Sequence, residues 1–232
     1  MSDYVRRFTL RQIIQHFCVM VLFILLALTG FPQKFSEGDW ARWIIQTLGG
    51  IDQTRWLHRY SGILFAALVA VHIQSEIFRL VLRRASPAMV PTGKDFQDAV
   101  KMLRYYLGLS DEQARFGRYD YRQKFEYWGL VLGSVIMIAT GFILYFPIAV
   151  TRFLPGELIP VAKIAHSNEG LLAFLVVITW HIFNAHLSPD SFPFDASIFT
   201  GKISREKMEK EHPLEYERMQ ELTRPAESSQ DD

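Results

Sequence analysis

One cysteine, Cys18, stands among 232 residues. An internal disulfide is therefore excluded, as is any iron–sulfur cluster or cysteine-based zinc site built from this chain alone. No C-x-x-C-H sequence occurs, which excludes covalent haem attachment of the c type. An excess of charge is also missing. The 25 Lys and Arg residues nearly balance the 24 Asp and Glu residues, so nothing points to nucleic acid. There is no dinucleotide-binding motif and no nucleophile constellation, so catalysis on a soluble substrate is not expected. The apolar stretches contain no paired Asp or Glu residues and no inverted repeat of broken helices, which argues against an ion transporter.

What is present is apolar. Half of the residues are hydrophobic, yet mean hydropathy is barely above zero, because polar loops and a charged tail dilute the long apolar runs. Four stretches reach the ~20 residues needed to cross a bilayer. They cover about residues 13–31 (ending at Pro32), 56–82, 125–146, and 161–187 between Pro160 and Pro189. The first has no small-residue cleavage site and is too long for the core of a signal peptide, so it is expected to stay. The expected fold is an all-α membrane protein: a four-transmembrane-helix bundle with a cytoplasmic loop helix and a charged C-terminal helix.

Positive charge orients the bundle. Arg6, Arg7 and Arg11 precede the first span. Arg79, Arg83, Arg84, Lys94, Lys101, Arg104, Arg115, Arg118, Arg122 and Lys124 lie between the second and third. The opposite side carries few, chiefly Lys34, Arg42, Arg55 and Arg152. Both termini are therefore expected on the cytoplasmic side of a bacterial inner membrane. Trp40, Trp43, Ile44, Ile45 and Leu48 form an apolar face suited to the outer lipid interface. Phe96, Val100, Leu103 and Leu107 recur at helical spacing after an N-cap at Thr92. From Ser204 to about Leu222 the pattern predicts a solvated, charged helix, with disorder from Pro225 and His212 in water.

Histidine is the informative residue. Six of seven lie inside or at the ends of the apolar stretches, where an ionisable ring is costly and implies a task. His58 and His72 share the second span, and His166 and His181 the fourth. Spacings of fourteen and fifteen residues correspond to roughly 21–23 Å along a helix, with both rings on one broad face. The two spans run in the same direction, so His58 matches His166 in depth near the outer face, and His72 matches His181 nearer the cytoplasm. Two stacked bis-histidine sockets for haem iron result. Gly62 and Gly170, each four residues after an outer histidine, with Ala66, Ala67, Ala70 and Ala173, leave room for a flat macrocycle. A single membrane histidine commonly serves only as a polar contact between helices; two matched pairs are harder to explain by packing. His16 lies at the depth of the inner socket and competes with His72 for the place opposite His181. A third haem held by His16 and His186 stays open, as does a plain interfacial or proton-relay role for His186.

These residues resemble the membrane cytochrome b subunits of respiratory formate dehydrogenases and nickel–iron hydrogenases. The resemblance spans nearly the whole chain. It is carried by Arg7-Phe8-Thr9 leading to His16, Leu28-Thr29-Gly30, Leu57-His58, Gly117-Arg118-Tyr119 with Gln123-Lys124, and Ala165-His166-Ser167 through His181. It implies two b haems and electron exchange with menaquinone or ubiquinone at the cytoplasmic side. It assigns the outer haem to His58 and His166, and the inner one to His16 and His181; His72 and His186 depart from the formate dehydrogenase pattern. It also implies a quinone site at Gly117 and Gln123, where an amide donor and an open backbone are available. Arg118 and Arg122 are expected at lipid headgroups or haem propionates. Glu76, one turn after His72, fits a proton relay or a charge reaching the interface, and Arg55 and Arg59 flank the outer ligand. The tail, with Asn184, His186, Phe192-Pro193, Thr200-Gly201-Lys202 and His212-Pro213-Leu214-Glu215, is similar to a subgroup that accompanies multihaem c-type cytochromes.

The expected organisation is a haem-binding unit over residues 1–188 and a cytoplasmic tail over 189–232. The expected role is an electron-transfer subunit of an oxidoreductase complex, not an enzyme alone. Its partners would be quinone, membrane lipid, and an iron–sulfur or multihaem c-type subunit on the periplasmic side. A haem-free membrane anchor is the alternative.

Overall fold

The structure, a computed structural model, describes residues 3–82, 87–189 and 191–223. The expectations for Arg83, Arg84 and the segment from Pro225 lie outside these residues. Four helices are long and apolar enough to cross a membrane: α1 (Leu10–Lys34), α3 (Ile51–Val81), α5 (Tyr121–Tyr145), and α7 (Leu158–Val176), which continues through two π-helical turns to Leu187. A 25-residue helix is roughly 37 Å long, enough for a hydrocarbon core of about 30 Å. The helical form itself follows from the solvent, since lipid offers backbone groups no hydrogen bonds and the segment must satisfy them internally.

The boundaries are written in cap residues. Thr9 opens α1 and Asp120 opens α5; each accepts the backbone N–H three residues on, while Gln12 and Gln123 reach back to the cap in closed capping boxes. Thr92 with Asp95 opens the short amphipathic α4 (Gly93–Tyr106) in the same way, as expected from the sequence. Helix α2 (Asp39–Thr47) exposes Trp40 and Trp43, consistent with an interfacial helix. Pro32 does not end α1. It sits buried inside the helix, which runs on to Lys34. A proline removes one donor and crowds one carbonyl, and here the chain tolerates it two residues from the end.

Helix α1 packs against α3 and α5 against α7, with α3 touching α5 and α1 touching α7 to close the bundle. Large apolar side chains such as Phe17, Leu64, Phe125 and Leu172 point outward, the reverse of a soluble protein. Small residues lie at helix contacts, where backbones approach closely. Gly133 of α5 accommodates the Glu169 carboxylate of α7, and Gly170 faces the Met137 methyl.

The C-terminal segment departs from expectation. Instead of a solvated tail, it folds back on the N-terminus at the end of the bundle that carries both. Strand β1 (Tyr4–Arg6) pairs antiparallel with β2 (Lys202–Ser204), Val5 opposite Ile203. Two short helices follow, α9 (Arg205–Glu211) and α10 (Pro213–Thr223), with the short α6 (Pro147–Val150) and α8 (Ser197–Thr200) completing the chain. Ile203 and Met208 are buried. His212, between α9 and α10, is only 4 % exposed. Its Nδ1–H donates to the Gly117 carbonyl at 2.8 Å, and its Nε2 lies 3.1 Å from Nη2 of Arg7. Arg7, 2 % exposed, also donates to the Arg118 carbonyl and stacks over the rings of Phe8 and Tyr119. Arg118 donates back to the Arg7 carbonyl and pairs with Glu215, so it serves this clamp instead of a lipid headgroup. Arg122 is held by Asp120.

A histidine accepting from Arg7 must be neutral. Burial, aided by the positive charge of Arg7, holds the His212 pKa down to about 4. Unfolded or undocked, the ring titrates near 6.5. The released state then binds the extra proton, so docking weakens as pH falls from about 6.5 towards about 4. Protection of the β2 amides relative to intrinsic exchange at each pH should therefore fall across that window, and His212→Ala should release the segment at neutral pH at a cost of about 1–3 kcal/mol.

Candidate haem-binding site

Four histidine rings meet in two pairs inside the bundle. His58 of α3 faces His166 of α7, with ring centres 6.2 Å apart. His16 of α1 faces His181 of α7, with ring centres 6.1 Å apart. The first pair lies in the turns farthest from the termini and the second near the end that carries them. Along α7 their levels differ by fifteen residues, roughly 22 Å. A metal–imidazole bond of about 2 Å, plus the distance from nitrogen to ring centre, puts two trans rings about 6.3 Å apart. Both pairs match that figure.

The threonines beside the distant pair determine which nitrogen is available. Thr29 Oγ1 lies 2.9 Å from His58 Nδ1 and donates its one hydrogen to the Leu25 carbonyl at 2.6 Å. It can only accept from the ring, so His58 Nδ1 carries the proton and Nε2 keeps its lone pair. The arrangement recurs on the other side: Thr140 Oγ1 is 3.0 Å from His166 Nδ1 and donates to the Ile136 carbonyl at 2.7 Å. Each threonine is followed by a glycine on which the ring rests. A Cβ at Gly30 would come within 3.1 Å of His58 Cε1, and one at Gly141 within 3.3 Å of His166 Cε1. Thr29-Gly30-Phe31 of α1 and Thr140-Gly141-Phe142 of α5 are thus one device used twice, each holding the histidine of the next long helix. The repeat was visible in the sequence as two identical tripeptides, and pattern reading passed over it.

The second pair is oriented differently. His181 Nδ1–H is held by the carboxylate of Glu126 on α5. Carboxylate partners of this kind fix the tautomer and make the far nitrogen a better donor to metal. Glu126 is the residue that the sequence reading missed, although an acidic group within an apolar span was the signal. His181 also sits in the first π-helical turn (Val177–His181), and π turns are frequent at functional sites.

The remaining candidates lie elsewhere. His72 has both nitrogens engaged, Nε2 with the Tyr127 hydroxyl at 2.9 Å and Nδ1 with Gln15 Oε1 at 3.4 Å. His186 stacks on Phe194 with ring centres 4.3 Å apart, and its buried Nδ1 has no hydrogen-bond partner among the described residues. Gly117 gives its carbonyl to His212, and Gln123 uses Oε1 to cap α5, which leaves its amide NH2 as a donor. Glu76 pairs with Arg11 at 2.9 Å and Arg79 at 3.3 Å. Arg55 reaches Asp52, and Arg59 lies over the Tyr145 ring.

Four membrane-crossing helices enclosing paired imidazoles define a multi-pass membrane cytochrome of the b type, a class that works in electron transport. The family model for prokaryotic cytochrome b561 matches residues 7–190, and the chain belongs to that family. It is 24 % identical over 216 residues to the cytochrome b556(Fdn) subunit of nitrate-inducible formate dehydrogenase from Escherichia coli K12, covering 93 % of this chain and 91 % of that protein. It is 25 % identical over 225 residues to the cytochrome b556(fdo) subunit of formate dehydrogenase from the same strain, covering 95 % and 96 %. The cytochrome b556 subunit of Haemophilus influenzae formate dehydrogenase is 25 % identical over 214 residues, covering 88 % and 78 %. The group implied by the family is haem b, and the ring separations and free nitrogens fit it.

Removing the group that orients a ligand commonly lowers metal affinity by about 10–100-fold. Thr29→Val and Thr140→Val should each weaken haem retention to that extent, measured by competition with apomyoglobin. The helical content should remain that of the parent chain.

Proposed function

We propose that the chain is a two-haem relay that carries electrons across a bacterial inner membrane between a periplasmic redox partner and the quinone pool. The observation that carries this reading is the pair of ring separations, 6.2 and 6.1 Å, each at the value for two imidazoles across one iron. His58 and His166 would hold the outer haem, His16 and His181 the inner one. Haem b supplies the one-electron couple. The protein supplies axial nitrogen, a dry surround and fixed dipoles that set potential.

The ring contacts favour His16 over His72 as the partner of His181. The His16 ring faces His181, whereas both nitrogens of His72 are already hydrogen-bonded. His186 is left out of ligation, because its ring meets Phe194 and Phe199 while the ring that faces His16 is that of His181.

The distribution of Lys and Arg supports cytoplasmic termini, with the His16–His181 pair on that side. Menaquinone or ubiquinone would exchange there, near Gly117 and Gln123. The Gln123 amide is a donor for a quinone carbonyl, and the Gly117 N–H is a second candidate. Residues 1–188 would form the haem-binding unit and 189–232 a cytoplasmic tail, of which β2, α9 and α10 fold onto the end of the bundle. The relatives are named as subunits of formate dehydrogenases, which supports membership of an oxidoreductase complex; the periplasmic partner would be an iron–sulfur or multihaem c-type subunit.

Haem content separates the possibilities. Purified chain should contain two b haems, His16→Ala and His58→Ala should each lose one, and His72→Ala should keep both. Three haems in the parent, or loss of one in His72→Ala, would overturn the ligand set; a haem-free chain made with ample haem supply would leave only a membrane anchor.

A further inference from the structure

His72 is a buried ionisable ring in a membrane helix with no role in the proposed iron sites, and its surroundings indicate one. Tyr127 of α5 and Gln15 of α1 hold its two nitrogens at 2.9 and 3.4 Å. Both partners are chain neighbours of the second ring pair. Gln15 precedes His16, and Tyr127 follows Glu126, which binds His181. His72 is therefore fixed beside that pair by the same two helices that build it.

A polar cluster adjoins the main chain of His72. Ser75 Oγ donates to the His72 carbonyl at 2.7 Å and accepts from Arg11. Arg11 pairs with Glu76, one turn after His72, and Glu76 also meets Arg79. The side chains of Arg11 and Glu76 are more than a third exposed, so the cluster reaches the surface of the bundle. On the other flank, Tyr127 lies one turn after Gln123 on the same face of α5. Gln12 and Tyr119, joined at 3.5 Å, complete the polar surface between α1 and the start of α5.

We propose that Tyr127 and His72 form the proton relay of the quinone site, passing a proton from a quinol oxygen near Gln123 through the Tyr127 hydroxyl to the His72 ring. This rests on the quinone reading above. In the oxidising direction one quinol O–H bond breaks and its proton passes to the Tyr127 oxygen. The Tyr127 hydrogen moves to His72 Nε2, and the one electron lost by the quinol would be taken up by the haem b that His16 and His181 would hold. The quinol is left oxidised by one electron and stripped of one proton, with its second O–H intact. Quinone reduction reverses each transfer. The groups facing His72 are Glu76 on its own helix, Arg11 and Gln15 on α1, and Tyr127 on α5. Glu76 is the carboxylate among them, and it is paired with Arg11 and Arg79.

The test uses full-length, haem-loaded protein in nanodiscs, reduced by a short-chain naphthoquinol, a short-chain ubiquinol or dithionite. His72→Gln and Tyr127→Phe should keep both haems and accept electrons from dithionite at the parent rate. Reduction by quinol should slow at least tenfold, with the pH profile displaced and the solvent deuterium effect changed. Variants that match the parent in quinol rate, pH profile and isotope effect would overturn the relay. So would loss of a haem from either variant, because His72 would then serve iron. Parent protein that accepts electrons from dithionite and from neither quinol would refute the quinone reading itself, and the relay with it.

Discussion

Everything in the bundle interior depends on disposing of one proton per imidazole. A neutral histidine has one nitrogen that donates and one that accepts, and only the acceptor can bind a metal. Lipid cannot take the N–H, so the protein must. The Thr29 and Thr140 hydroxyls do this for His58 and His166, after spending their own hydrogens on carbonyls of their own helices. Glu126 does it for His181. A neutral hydroxyl and a carboxylate are unequal partners, because the carboxylate pushes more electron density through the ring. If both pairs hold haem as proposed, the two sites would differ in ligand strength without any change of ligand residue.

Close packing is what lets those partners reach. Thr29 and Thr140 are each followed by glycine, and the glycine brings the neighbouring helix near enough for the hydroxyl to meet the ring. Any Cβ at these two positions would crowd the imidazole edge. In a membrane, helices gain little from the hydrophobic effect on contact, so close backbone approach and interhelical hydrogen bonds hold them together. The contacts that assemble the bundle are in this way the contacts that orient the ligands. The clamp of Arg7, Arg118, Gly117 and His212 extends the same logic to the polar end, where β1 and β2 tie the last segment to the first.

The relation to the formate dehydrogenase cytochromes is distant in sequence and nearly complete in length. At that distance the pattern of polar residues within apolar helices carries the identity, since lipid-facing positions accept any large apolar side chain. His72 and Tyr127 add a polar pair to that pattern, placed beside residues that hold the His16–His181 site.

By itself the sequence determined the four spans, the cap at Thr92, and the presence of costly ionisable histidines inside the spans. These are local properties: length and apolar composition follow from bilayer thickness, and the cap from bonding three residues away. Spacing within a helix also gave the depth of each ring, and so the match of His58 with His166. Partner choice across helices was another matter. His16 and His72 lie at one depth, and only the rotation of α1 and α3 about their axes turns His16 to His181 and His72 to Tyr127. The tail posed the same problem: its composition is that of a solvated helix, and burial of His212 arises from pairing with residues some two hundred positions away in the chain. Long-range pairing costs no local signal, so the tertiary structure alone decided it.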